Sequence, residues 1–334
     1  MSTNHIALYR KYRPERFSDV VGQPHIVEVL TKSIINKKPS HAYLFCGGRG
    51  TGKTTVARIF ARDIGCNPED IIGIDAASNR GIDEIRELRE AVRTAPFSSP
   101  FKVYIVDEAH MLTKEASNAL LKTLEEPPHH VIFILATTDP EKLPETIVSR
   151  CQKLVFSSPS ISVLASRLEY VAKSEGVSLS HEGAVLIAKH GKGSYRDALG
   201  VLEQVLSLAH KEYTYDTVAQ FLGEPEEVLL LQLLTALSKK DTKELLAIVQ
   251  KLSTHGESLR TYDAFIEVVR QALLGRLGKT EGVKEEVVTL GKEFPLVINS
   301  ALVLMLLEKR ALVERASLHG WTAFEVVLLS LTTD

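Results

Sequence analysis

The nine residues Gly47-Gly48-Arg49-Gly50-Thr51-Gly52-Lys53-Thr54-Thr55 satisfy the spacing G-x-x-x-x-G-K-[ST]. An apolar run that reads as a strand, 41–47, precedes them, and an amphipathic run that reads as a helix, 55–64, follows. A strand, a glycine-rich loop and a helix start in this order form a phosphate cradle. The glycines allow backbone N–H groups to close around phosphates, Lys53 has the reach for the β- and γ-phosphates, and Thr54 can ligate Mg²⁺. A chance glycine-rich turn is the plain alternative, and the flanking elements argue against it. Metal-assisted phosphoryl transfer also needs an acid near the metal and a group that orients the attacking water. Val103-Tyr104-Ile105-Val106-Asp107-Glu108 supplies both at the end of an apolar run. An acid pair at a strand end can be a simple solvated turn. Its position 54 residues after Lys53, behind four apolar residues, instead assigns Asp107 to the magnesium side and Glu108 to the water.

Three further positions carry chemistry with alternatives attached. Thr137 and Thr138 close the next apolar run, where hydroxyls face the same crevice edge; Thr138 is the candidate γ-phosphate sensor and Thr137 the fallback, against two threonines that merely satisfy turn amides. Arg196 follows Ser194, a helix N-cap with Asp197 three residues on, so its cation sits where the helix dipole opposes it by up to about 1 kcal/mol. That placement points to an anion, a nucleotide phosphate or else an acidic neighbour. His110 reads as a packing or hydrogen-bonding residue.

The elements that position these groups are legible as a pattern. Candidate strands are 41–47, 71–76, 102–108, 131–138 and 153–156, all but the last continuously apolar, as strands of a parallel sheet covered on both faces are. Between them, Ile26, Val29, Leu30 and Ile34 share one helical face behind Pro24, and Ile82, Ile85, Leu88 and Val92 share another. After Ser157-Ser158-Pro159-Ser160 the chain reads as helices to its end, with a second interruption at Gly223 and Pro225. The expected organisation is therefore α/β over 1–160 followed by helical segments 161–223 and 224–334. The last is leucine-rich and fit to bury its apolar faces internally or against partner subunits.

A chain of 334 residues, 44% hydrophobic and 25% charged with a net charge of −2, belongs among globular proteins of two or three domains. Any affinity for nucleic acid must come from local patches or summed subunits. The start lacks the basic-then-apolar run of a secretion signal, and the apolar stretch 296–307 is too short for a bilayer, which leads to the expectation of a cytoplasmic protein without a membrane partner. Cys46, Cys66 and Cys151 form no C-x-x-C pair and read as structural thiols.

Assembled, these motifs closely resemble the gamma/tau family of bacterial DNA polymerase III clamp loaders, a branch of the AAA+ ATPases related to replication factor C. The resemblance is carried by YRKYRPERFSDVVGQPHIV, GGRGTGKTT, IDAASNRGIDEIRELRE, YIVDEAHMLTKEASNALLKTLEEPP, LATTDPEKLPETIVSRC and GSYRDAL, between about residues 8 and 200. It implies an AAA+ P-loop NTPase with a parallel five-stranded sheet, a helical lid and an all-α collar through which subunits assemble, using ATP and Mg²⁺. It implies that Arg150, which on the residues alone reads as a surface ion pair, is a finger inserted into a neighbouring subunit's ATP site. Thr138 and Arg196 become the first and second sensors. Arg10, Tyr12, Arg13, Pro14, Val20 and Val21 match the segment around the adenine base.

The partners implied are other loader subunits in a pentamer, a sliding clamp and primed DNA, held through phosphates and loaded at the expense of ATP. The helix at 82–93 alternates acids with Arg86, Arg89 and Arg93, so no basic stripe for DNA stands out. The family's four-cysteine zinc module is replaced by a direct passage through Cys66, so a structural zinc is not expected. The missing long extension suggests a gamma-like form. A replication-factor-C-like loader, a branch-migration or helicase-like motor and a non-hydrolysing scaffold are the alternatives. The chain shows no carboxylate constellation for DNA synthesis.

Overall fold

The structure is a computed structural model and describes residues 6–78, 87–88, 90–254, 256–279 and 283–333. It divides into two compact units, Met1–Tyr215 and Asp216–Asp334.

The first unit is built on five parallel strands: β1 (Ala42–Gly47), β2 (Ile71–Asp75), β3 (Lys102–Asp107), β4 (Val131–Thr137) and β5 (Gln152–Phe156), in the order β2-β3-β4-β1-β5. β1 pairs with β4 and β5, so the loop that follows it leaves from the interior of the sheet. β4 is buried along its whole length, which explains its unbroken apolar sequence. One face of the sheet packs Leu44, Tyr104, Val106, Phe133 and Leu135 against Leu120 and Leu124 of α4 (Lys114–Glu125). The other packs Tyr43, Phe45, Ile105 and Ile134 against α2 (Pro24–Ile35) and α3 (Lys53–Asp63), the latter through Val56, Ala57 and Phe60. Pro24 occupies the first turn of α2, whose Ile26 and Leu30 are buried while Val29 and Ile34 are partly so. Of the helix expected over 82–93, residues 82–86 and 89, with Arg86 and Arg89, lie outside the described residues; Leu88 and Val92 are buried in the core.

Two short N-terminal and edge elements, α1 (Leu8–Lys11) and α5 (Glu145–Val148), precede α2 and β5 respectively. Three helices complete the unit: α6 (Ile161–Ser174), α7 (His181–His190) and α8 (Tyr195–Leu206). Strands do not stop at residue 160. Ser178–Leu179 and Glu212–Tyr213 form a second, two-stranded parallel sheet, β6 and β7. Segments of two residues carry no alternation long enough to read, which is why the sequence shows only helices there.

The second unit has only helices as regular elements among its described residues: α9 (Tyr215–Leu222), which starts at the boundary, α10 (Glu227–Ser238), α11 (Thr242–Ser253), α12 (Ser258–Arg276), α13 (Glu285–Glu293), α14 (Ser300–Arg315) and α15 (Gly320–Thr333). Its core gathers Leu233, Leu245, Phe265, Val269, Leu306 and Phe324. Tyr262 is buried within it and donates to the Leu306 carbonyl at 2.9 Å. Arg310 of α14 grips Asp263 of α12 with two bonds of 2.7 and 2.8 Å. Leu304, Leu307 and Leu312 on α14 nevertheless stay exposed at 59%, 49% and 57%, an unusual apolar load for a helix surface.

Candidate nucleotide site

The loop 47–52 keeps its shape through positions that tolerate no side chain. Gly47 has φ +148°, and a Cβ there would stand 2.4 Å from the Phe156 carbonyl of the neighbouring strand. Gly50 has φ +69°, and a Cβ would fall 1.9 Å from the Ser194 hydroxyl. Thr51 is buried and closes the loop by donating to the Gly48 carbonyl at 2.9 Å, and Gly52 turns the chain into α3 at φ 102°. Gly48 and Arg49 lie exposed on the rim. Lys53 is buried at 6% exposure and donates to the carbonyls of Gly47 and Gly48 at 2.7 and 2.9 Å. Burial lowers its pKa, while the carboxylates of Glu108 and Asp107 oppose that shift. A buried ammonium facing two carboxylates is the charge arrangement that a phosphate chain with its metal would complete.

Thr54 and Asp107 meet directly: the hydroxyl donates to Asp107 Oδ2 at 2.7 Å. They come from the first turn of α3 and the end of β3, and a divalent cation would take one oxygen from each. The backbone turns sharply after Asp107, with Glu108 in the left-handed region at φ 50°. That turn aims the second acid along the crevice edge, where Thr138 donates to Glu108 Oε2 at 3.4 Å and to Asp139 at 3.2 Å. Thr137 is fully buried and holds the Asp139 amide at 3.1 Å. Of the two threonines, Thr138 is thus the one beside the acids.

His110 lies closer to this chemistry than its sequence context suggests. Its Nδ1 is 3.0 Å from the Thr137 hydroxyl and 3.5 Å from Glu108, and its Nε2 is 3.4 Å from Asp139. It ties the turn at the end of β4 to the acid Glu108. A single histidine three residues past Asp107 carries no signal of this role until β3 and β4 are known to be neighbours.

From the other side, the start of α8 sits on the loop. Ser194 caps the helix by accepting from the Asp197 amide at 3.2 Å, and the Tyr195 amide donates to the Gly50 carbonyl at 3.0 Å. The capping is one-sided, because the Ser194 amide goes to Gly191. Arg196 is exposed beside this contact, its guanidinium 5.9 Å from the Tyr9 ring centre, and it forms no ion pair among the described residues. Of its two sequence alternatives, the acidic neighbour is not the one seen.

The N-terminal arm surrounds this junction. Arg13 donates to the Thr55 hydroxyl at 2.9 Å, and Tyr195 donates to the Val21 carbonyl at 2.8 Å. Val20 packs against the sheet core while Val21 is 40% exposed. Tyr12 reaches instead to Glu175 at the end of α6, which also holds Lys11, and Arg10 leans on Tyr9. Buried Gln23 adds a clamp the motifs did not signal, bonded to both the amide and the carbonyl of Ser157 at 3.2 and 2.7 Å. Pro14 lines a cleft beside α3 with Arg10, Arg13, Arg58 and Arg62.

Arg150 lies away from this loop. Its Nη2 donates to Glu125 Oε1 at 2.6 Å and its Nη1 to the Thr146 carbonyl at 2.8 Å, so within one chain it forms the surface ion pair its residue type suggests. Cys66 is buried and its thiol donates to the Phe101 carbonyl; burial, helped by the Asp70 charge, pushes it up to about 11.

A phosphate loop leaving an inner strand of a parallel sheet ordered β2-β3-β4-β1-β5, an acid pair ending β3, a hydroxyl ending β4 and a helical segment closing on the loop define an AAA+ P-loop fold. Solved structures share it: the Thermotoga maritima RuvB Holliday junction branch migration motor matches with TM-score 0.55 at 19% identity, over 84% of this chain and 85% of that one. Residues 22–73 and 69–160 match the family model of the DNA polymerase III delta subunit. The chain is 40% identical over 304 residues to DNA polymerase III subunit tau of Bacillus subtilis, covering 84% of this chain and 54% of that protein. It is 36% identical to DNA polymerase III subunit gamma of Buchnera aphidicola from Acyrthosiphon pisum, covering 80% and 79%. To subunit tau of Escherichia coli it is 36% identical, covering 75% and 42%. The chain belongs to the DNA polymerase III gamma/tau family. It spans about half the length of the tau relatives it matches.

Proposed function

We propose that this chain is an ATP-hydrolysing motor subunit of a clamp loader, in which ATP binding and hydrolysis drive loading of a sliding clamp onto primed DNA. The observation that carries the reading is the Thr54–Asp107 contact of 2.7 Å beside a buried Lys53, with Glu108 adjoining Asp107 and bonded to Thr138 at 3.4 Å. A scaffold without hydrolysis has no use for that set. The likeness to a branch migration motor is one of fold, whereas the relatives of 36–40% identity are replication subunits, which favours the loader.

In this reading Lys53 exchanges its two carbonyl partners for phosphate oxygens, and the loop amides close on the chain behind it. Thr54 and Asp107 would hold Mg²⁺, which would supply positive charge to neutralise the phosphates. Glu108 polarises the attacking water, and Thr138 places that water while sensing the γ-phosphate. Arg196 neutralises charge from the α8 side, so bound nucleotide is felt by the helical segment through Ser194 and Gly50. Arg10, Tyr12, Arg13, Pro14, Val20 and Val21 border the base and sugar.

Arg150 serves the ATP of a neighbouring subunit. An exposed ion pair such as Arg150–Glu125 contributes only about 0–1 kcal/mol. Charge-assisted bonds to a phosphoryl group are worth about 1.5–3 kcal/mol each, so the exchange is favourable once a partner presents its triphosphate. Exposed leucines of α14 suit the assembly that this requires. No helix among the described residues is long and apolar enough to cross a membrane, which accords with a cytoplasmic replication factor.

The test is ATP turnover with and without primed DNA and cognate clamp. We expect strong stimulation by both, loss of nucleotide binding in Lys53→Ala, and retained binding with lost stimulation in Arg150→Ala. Equal loss of affinity in both variants would contradict the reading.

A further inference from the structure

A cleft of about 340 Å³ runs along α3 next to the phosphate loop, and its charged lining is four arginines against the single carboxylate of Glu15. Thr55, Arg58 and Arg62 form one stripe of α3, and Arg10 and Arg13 face them from the N-terminal arm. Arg58 and Arg62 are exposed. The bonds made by these guanidiniums go to neutral groups: Arg13 to the Thr55 hydroxyl, Arg62 to the carbonyls of Glu15 and Arg58, Arg10 to the Tyr9 hydroxyl. Among the described residues none of the four pairs with a carboxylate. Burial and the charges of Arg58, Arg196 and Arg62 lower the Arg13 pKa, while the Asp107 carboxylate opposes that shift. Arg58 and Arg62 thus present a cationic edge of α3 that suits a carboxylate partner.

The opposite charge collects around Arg150. Glu125 and Glu126 end α4, Glu145 starts α5, and all three are exposed. Glu125 is held by Arg150 at 2.6 Å, while the side chain of Glu126 makes no ion pair among the described residues. We propose that the outer part of this cleft, Arg58 and Arg62 on α3, receives the acidic corner Glu125–Glu126 of a second copy, while Arg10 and Arg13 stay with the nucleotide. The inference rests on the in-trans role of Arg150 proposed above. Thr54 belongs to the phosphate site and Thr55 already lines the cleft, and the stripe from Thr55 to Arg62 extends about 10 Å along the helix. An Arg150 brought to a neighbour's phosphates therefore carries Glu125 and Glu126 to the edge of that neighbour's cleft. The docking also resolves an exchange problem. When Arg150 turns to phosphate, Glu125 loses its partner, and a cation of the cleft replaces it rather than leaving a desolvated carboxylate unpaired.

The experiment is a charge swap in the full chain, read by DNA- and clamp-stimulated ATP turnover. We expect Arg62→Glu to lower stimulated turnover at least tenfold with an unchanged melting temperature. Adding Glu126→Arg should return it to within about threefold of the parent, as direct pairing requires. As an independent reading, the double variant Arg62→Cys/Glu126→Cys should form chain-to-chain disulfides on oxidation in the presence of Mg²⁺ and a slowly hydrolysed ATP analogue, and neither single variant should. If Arg62→Glu has no effect, or Glu126→Arg fails to rescue and no disulfide forms, while Arg150→Ala still removes stimulation, the docking is wrong and the in-trans reading survives. If Arg62→Glu weakens primed-DNA affinity equally with and without Glu126→Arg, the cleft contacts nucleic acid and the proposal is overturned. If Arg150→Ala keeps full stimulation, the parent reading itself fails.

Discussion

Glu108 and Asp107 adjoin in sequence yet meet different partners, Thr138 and Thr54, across the left-handed backbone at Glu108, and the proposed function gives them separate duties. Glu108→Gln should therefore keep ATP binding and lower turnover by about 10²–10⁴-fold, the range for loss of a general base, as measured by nucleotide titration alongside single-turnover hydrolysis. Gly50 is constrained twice, by φ +69° and by the Ser194 hydroxyl 1.9 Å from where a Cβ would stand. Gly50→Ala should destabilise the nucleotide-free chain by roughly 1–3 kcal/mol in a thermal melt and weaken ATP binding with it. Glu175 gives the N-terminal arm a pH dependence. Hydrogen bonds from Lys11 and Tyr12 hold its carboxyl below the ordinary 4.5. A carboxyl with a lowered folded-state pKa stabilises fully above 4.5, and that contribution is lost as pH falls through the folded value. The melting temperature of Glu175→Gln should accordingly fall less steeply than the parent's on acidification below that point.

The strands and α3 were readable because each is a long apolar run bounded by punctuation: β1 and β3 end at Gly47 and at the acid pair within one residue of expectation. Pattern reaches that far because both faces of the sheet are covered, and continuous hydrophobicity is then the only solution. It fails where an element is too short to have a period, as in the pair Ser178–Leu179 and Glu212–Tyr213. It fails again where a role depends on which strands are neighbours, as for His110, or on which helix start reaches the loop, as for Tyr195 and its 3.0 Å bond to Gly50. The loop motif itself was legible in full, since phosphate cradling imposes residue types at fixed spacing. On the packing side, Phe60 fixes α3 to the sheet, its ring edge-on to Tyr43 at 5.2 Å between centres. Phe60→Ala should cost about 3–5 kcal/mol in denaturant unfolding and displace the phosphate loop that leads into α3.

For the molecule as a whole, the proposed reading divides the hydrolytic centre between two chains. Lys53, Thr54, Asp107, Glu108 and Thr138 converge on one crevice edge, whereas Arg150 is occupied by Glu125. This division is what an enzyme active only in assembly requires, with the finger effect worth roughly 10³–10⁵ in rate in well-studied phosphoryl-transfer systems. Mixing two inactive chains is the decisive measurement. In the proposed reading, Lys53→Ala should lose nucleotide binding while retaining Arg150, and Arg150→Ala should bind nucleotide while lacking the proposed finger. Combined with cognate loader partners, clamp and primed DNA, the two should regain ATP turnover well above the sum of the separate variants. Turnover that stays at that sum, or an Arg150→Ala chain that hydrolyses at the parent's rate on its own, would contradict the composite site.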